Sequence, residues 1–140
     1  MGLILDSSLL IAGERQGRNA RQMLTMISGV TGDIEIALSV VTLLELAHGA
    51  ARANNPERRS NREQFIQELL TALPIHSITI PIALRAGQID AECQAKGIRI
   101  PLSDLLIGVT ALELGFGLAT LNARHFQMIP GLTITSPATP

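Results

Sequence analysis

The sequence predicts an α/β domain of three layers, α/β/α, with a short central parallel sheet covered by helices on both faces. Three observations predict it. Apolar runs of four or five residues recur along the chain, each halts at a polar residue, and most are followed by apolar residues at helical spacing. Strands that are short and apolar on both faces, alternating with helices, belong in a parallel sheet buried on both sides. Composition agrees, because 46% hydrophobic and only 16% charged residues in 140 describe one domain with a buried core, not a disordered chain.

In chain order, Gly2–Leu5 is the first buried strand, and Asp6, Ser7 and Ser8 turn it into a helix opening with Leu9, Leu10, Ile11 and Ala12. Residues 34–38 form the second strand, Ser39 ends it, and 40–53 carry helical spacing. Pro56 sits near the first turn of a helix over 57–72, and the charge-dense stretch around it, 54–63, reads as a solvated helix start. After Pro74, the run 75–80, rich in β-branched residues, predicts a strand, and 82–95 a helix that stops at Gly97. Residues 105–114 are a strongly apolar helix ended by Gly115, 118–120 another strand, and 132–134 a last edge strand. The domain is expected over 1–135, with a frayed C-terminal tail at 136–140.

Several classes of function are excluded. Charges interrupt every apolar run, and the one from Leu105 reaches Glu113 after eight residues, short of the roughly 18 that a membrane span requires. Asp6 cuts short an N-terminal run that has no basic segment before it, and it stands where an N-myristoylation signal needs a hydroxyl, so a cytoplasmic protein is expected. Cys93, the only cysteine, builds neither an internal disulfide nor a thiolate zinc site. Eleven basic against twelve acidic residues give no global attraction to nucleic acid, so a polyanion must be held by a local patch. Ten of the eleven are Arg, suited to bidentate contact with phosphate. Three Phe and no Tyr or Trp rule out an aromatic base-stacking platform.

Ligands of open α/β sheets bind outside the carboxyl ends of the strands, which makes Asp6, Glu45, Asp104 and Asn122 the candidate site residues. Each acid also has a structural explanation. Asp6 could cap the helix after it, Thr42 with Glu45 fits a capping box, and Ser103 with Asp104 fits a helix start. Together, three acids in apolar surroundings at one end of a sheet would repel one another unless a cation neutralised them. Hard carboxylate oxygens without Cys or His nearby favour Mg²⁺, or Mn²⁺, over zinc. Other phosphate and acyl chemistries fail on particular residues. Lys96 has no Walker loop, Gly115 and Gly117 lack the third glycine of a dinucleotide loop, and Ser8 stands where an Asp-x-Asp phosphatase needs its second acid. No Gly-x-Ser-x-Gly elbow occurs, and His48, His76 and His125 have no ligand spacing.

Four segments resemble, in order and spacing, the PIN domain of VapC-type toxins: 3–12 around Asp6, 38–49 around Glu45, 100–111 around Asp104, and 118–126 with 129–132 around Asn122. The resemblance covers nearly the whole chain. It implies a PIN-like fold and a metal-dependent endoribonuclease, the toxin of a type II toxin–antitoxin pair, acting on RNA, usually a homodimer, and inhibited by a cognate VapB-type antitoxin. Asp6, Glu45 and Asp104 take the places of the family's acidic metal ligands, and Ser7, Thr42 and Thr120 stand beside them as supports. Asn122 replaces a fourth acid found in many relatives, which puts a second ion in doubt. It also motivates the alternative, a catalytically silent PIN-type module that binds RNA or protein. In the expected mechanism Asp6 and Asp104 hold Mg²⁺, Glu45 binds it or orients its water, and Asn122 bonds a water or a phosphate oxygen. Arg15, Arg52, Arg99 and Arg124, with Arg18, Arg58 and Arg59, are candidate contacts to the RNA backbone.

Overall fold

The computed structural model describes residues 2–136. Among them, β1 (Gly2–Leu5), β2 (Glu35–Ser39), β3 (Ile75–His76), β4 (Gly117–Ala119) and β5 (Ile134–Thr135) form one parallel sheet in the order β3-β2-β1-β4-β5. The helices are α1 (Ser7–Arg15), α2 (Ala20–Thr31), α3 (Val40–Arg52), α4 (Pro56–Ala72), α5 (Ile80–Ala95), α6 (Leu102–Leu114) and α7 (Ala123–Phe126).

Side-chain alternation along the strands sorts the core into two layers. Leu3 and Leu5 of β1, Ile36 and Leu38 of β2 and Ala119 of β4 pack with α1, α2 and α4 through Leu9, Leu10, Met23, Phe65 and Leu69. Ile4, Ala37 and Leu118 face the opposite way, against Ile82, Ala86 and Ile89 of α5 and Ile107 and Val109 of α6. Helix α3 serves both layers, with Val41 in one and Leu46 in the other. The expected three-layer α/β/α architecture is thus the observed one.

Consecutive connections run outward from β1 through β2 to β3, and then the chain crosses back to place β4 on the other side of β1. The direction of winding therefore reverses between β1 and β4, and the crevice at their carboxyl ends is where such sheets bind ligands.

Local structure departs from the sequence reading in identifiable places. Helix α2 was not expected. A reciprocal capping box opens it, with Gln22 N–H donating to Asn19 Oδ1 at 2.8 Å and Asn19 N–H to Gln22 Oε1 at 3.0 Å. Its buried stripe is narrow, Ala20, Met23 and Ile27. The expected strand over 75–80 shrinks to Ile75–His76, because Thr79 caps α5 and draws Ile80 into the helix. Helix α6 starts at Leu102 rather than 105, with the Pro101 carbonyl accepting from Leu105 N–H at 2.9 Å. The last strand lies at Ile134–Thr135, not 132–134. Of the tail expected at 136–140, Ser136 donates its hydroxyl to the Thr120 carbonyl at 3.1 Å, and 137–140 lie outside the described residues. No helix among the described residues is long and apolar enough to cross a membrane.

Candidate functional site

Asp6 follows β1 and is buried, at 4% exposure. It occupies the N-cap position of α1, yet its side chain makes no cap bond. Instead Oδ2 accepts from Ser8 Oγ at 2.7 Å and from Thr120 Oγ1 at 2.8 Å. The same hydroxyls accept in turn from backbone N–H groups, Ser8 from Leu121 at 3.1 Å and Thr120 from Asn122 at 2.9 Å. This network spans the point where the sheet reverses its winding, so the loop after β4 is locked to the carboxylate after β1.

Glu45 lies in the second turn of α3. The helix is capped by Ser39, whose Oγ accepts from Val41 N–H at 3.1 Å, so the capping box of Thr42 with Glu45 does not form. Glu45 Oε1 is buried with no hydrogen-bond partner. Burial pushes this carboxyl above its usual range, the charges of Asp6 and Asp104 push it further, and the hydroxyls of Ser7 and Ser103 offset part of the rise. Asp104 sits in the first turn of α6, where Pro101 holds the N-cap position without a side-chain bond. His125 Nδ1 lies 2.9 Å from Asp104 Oδ2. Burial raises the Asp104 carboxyl foremost, Asp6 raises it as well, and His125 opposes both.

None of the three acids, nor Ser103, makes a side-chain cap bond, although Asp104 does place its charge in the first turn of α6, as the helix-start explanation expects. The acids come from three separate places in the fold, the end of β1, α3 and α6, and they are near enough for each of Asp6 and Asp104 to disfavour ionisation of Glu45. Among the described residues no Arg or Lys forms an ion pair with any of them. Nor do three His, Cys, Asp or Glu side chains among these residues already stand so that they could hold a metal ion.

The other expected residues divide. Ser7 is buried beside Glu45, and Thr120 bonds Asp6 directly. Thr42 is fully buried, but its Oγ1 has no partner. Asn122 is exposed at the start of α7 without a side-chain cap bond. Arg15 and Arg52 line one concavity between α1, α3 and α4, whereas Arg99 and Arg124 lie exposed away from it. Sequence reasoning missed Ser8, Ser103 and His125 as groups touching the carboxylates. Ser8 had a readable signal, a hydroxyl two residues past the strand-end acid. His125 had none, since 21 residues separate it from Asp104.

Comparison with known proteins identifies the family and the fold. The PIN domain model matches residues 3–131. A ribonuclease VapC1 of Rickettsia felis is 31% identical over 134 residues, 96% of this chain and 95% of the relative. A tRNA(fMet)-specific endonuclease VapC of Salmonella typhimurium is 31% identical over 71% of this chain and 73% of its own. In fold, a chain of the VapBC2 crystal structure from Rickettsia felis, bound to a promoter DNA fragment, superimposes with a TM-score of 0.82 at 21% identity, covering 96% of this chain and 98% of that one. Matched along nearly its whole length, the chain belongs to the PIN-domain family, among the VapC ribonucleases.

Proposed function

We propose that the protein is the toxin of a type II toxin–antitoxin pair, an endoribonuclease that hydrolyses RNA phosphodiester bonds at the cluster of Asp6, Glu45 and Asp104. One observation carries the reading beyond family membership: three carboxylates that make no side-chain cap bond and have no Arg or Lys ion-pair partner lie near enough to raise one another, Glu45 under the charges of Asp6 and Asp104, and Asp104 under that of Asp6. Such a cluster suits a cation. The donors are hard oxygens, and Glu45 Oε1 is a buried acceptor with nothing bonded to it, which fits Mg²⁺ or Mn²⁺. Asp6, Glu45 and Asp104 would hold the ion. A divalent ion there supplies hydroxide near neutral pH and stabilises negative charge developing on the phosphoryl oxygens.

The chain's own groups do the rest. Ser8 and Thr120 fix Asp6 through Oδ2. His125 fixes Asp104 through Oδ2. Glu45, with Oε1 free of any hydrogen bond, would bind the ion or orient a water beside it. Asn122, exposed at the rim, offers its amide to a phosphate oxygen. A VapB-type antitoxin is the expected inhibitor. A second copy is the expected dimer mate, through Leu44 on α3, Ile80 and Leu84 on α5 and Leu102 on α6, all exposed near the starts of their helices.

Purified protein incubated with RNA tests this reading. Cleavage with Mg²⁺ or Mn²⁺ that stops with EDTA, and that is lost in Asp6→Asn, is the expected result. Uncut RNA with either ion, or equal cutting by Asp6→Asn, overturns it and leaves the silent binding module.

A further inference from the structure

The chain carries a net charge of −1, so a polyanionic substrate finds no overall attraction to it. Its arginines are not evenly spread. Arg15 at the end of α1, Arg52 at the end of α3, and Arg58 and Arg62 on α4 line a single concavity of about 720 Å³. Against these four stands one acid, Glu14, and it is already engaged. Arg62 Nε donates to Glu14 Oε2 at 2.7 Å, and Arg62 Nη1 to the Leu46 carbonyl at 3.2 Å. That pair forms a wall that is largely withdrawn from solvent, with side-chain exposures of 16% and 24%. Among the described residues Arg15, Arg52 and Arg58 form no ion pair, and all three are exposed.

The concavity is connected to the carboxylates by rigid elements. Helix α1 carries Ser7 at its start and Arg15 at its end, and α3 carries Glu45 and Arg52 seven residues apart. Seven residues of helix rise about 10 Å. At about 3.4 Å per nucleotide, the axial phosphate spacing along one strand of a B-form duplex, that rise spans roughly three nucleotides.

We infer that the concavity of Arg15, Arg52 and Arg58 is a phosphate-binding subsite, which anchors the backbone of single-stranded RNA about three nucleotides from the carboxylate cluster. The inference rests on the nuclease reading for the identity of its ligand. Planar guanidinium groups that have no carboxylate partner, placed around one hollow, suit phosphate oxygens bidentately and carry no base discrimination. An acidic peptide would be recognised by the same charges. RNA is favoured because Arg15 and Arg52 end the two helices, α1 and α3, of which one follows Asp6 and the other carries Glu45, so one strand can reach both places.

Fluorescence anisotropy in EDTA, with an end-labelled RNA of about twelve nucleotides, measures binding apart from cleavage. Arg52→Gln/Arg58→Gln should weaken binding on the order of twentyfold near 0.1 M salt and lower the log–log salt slope by about 1.4, the effect of two lost phosphate contacts to a single strand. Arg59→Gln is the control, since Arg59 is exposed on the same helix, outside the concavity, and paired with Glu63 at 3.4 Å. It should bind within twofold of the parent. The inference is overturned if the double variant binds like the parent, if Arg59→Gln loses as much, if the parent binds no RNA, or if it prefers oligoglutamate to RNA. Failure of the nuclease reading is seen separately. A parent that binds through these arginines but does not cut with Mg²⁺ or Mn²⁺ keeps the anchor and loses the nuclease.

Discussion

Replacing Thr120 with Val removes one hydroxyl and keeps the side chain's volume. In the parent that hydroxyl, fully buried, donates to Asp6 Oδ2 at 2.8 Å and accepts from Asn122 N–H at 2.9 Å. Asn122 is exposed and can turn its N–H to water, so the charged bond to Asp6 dominates the cost. A hydrogen bond to an ionised group contributes about 2 kcal/mol. Unfolding entropy of about 2.1 cal/mol/K per residue over 140 residues amounts to roughly 0.3 kcal/mol/K, so Tm should fall by about 7 °C. Asp6 is then held by Ser8 alone, and RNA cleavage should fall about tenfold or more, the usual loss when a support of a metal ligand is removed. Thr120→Ser, which keeps the hydroxyl, should recover most of the activity. Calorimetric melts and initial cleavage rates of the three proteins decide the matter. A Val variant that melts within a degree of the parent and cuts RNA equally well would refute the role given to this hydroxyl.

Glu45→Gln addresses the cost of gathering acids. Because burial and its neighbours raise the Glu45 carboxyl above 4.5, the folded state holds its proton more tightly than the unfolded one, and stability falls as pH rises through the folded pKa. In EDTA, Glu45→Gln should therefore melt above the parent near neutral pH, with the gap closing below about pH 4, where both side chains are neutral; a gap independent of pH contradicts the electrostatic cause. Arg62→Met and Glu14→Gln should each lower the urea unfolding free energy by about 1–2 kcal/mol, and the double variant by less than their sum, since the half-buried pair acts as a unit. Additive losses would show that the pair contributes nothing jointly. Leu44→Glu/Leu84→Glu should convert a dimer into a monomer in sedimentation velocity, and an unchanged mass would place the interface elsewhere.

The strands and the acids behind them were legible because local chemistry announces them. Ile4, Ala37 and Leu118 have no polar neighbour within their strands, and a strand buried on both faces reads as an unbroken apolar run. The helix α2 was obscured by a buried stripe of only Ala20, Met23 and Ile27, broken by Thr25, Ser28 and Gly29, although Asn19 and Gln22 carried its start signal. The capping explanations could not be settled from spacing. Deciding them required knowing that Ser39 and Pro101, not Thr42 and Ser103, begin α3 and α6, and that Asp6 turns to Thr120 across 114 residues. Pairings across the fold, His125 with Asp104 and Arg62 with Glu14, are set by how helices pack, and no pattern in the chain foreshadows them.

The central claim is that Asp6, Glu45 and Asp104 share one divalent cation. Titration calorimetry of Mn²⁺ into the parent and into Asp6→Asn, Glu45→Gln and Asp104→Asn reads it without reference to RNA. One binding event in the parent, weakened by each of the three substitutions, is the predicted result. Parent-like affinity in any one variant, or no heat of binding in the parent, would contradict it.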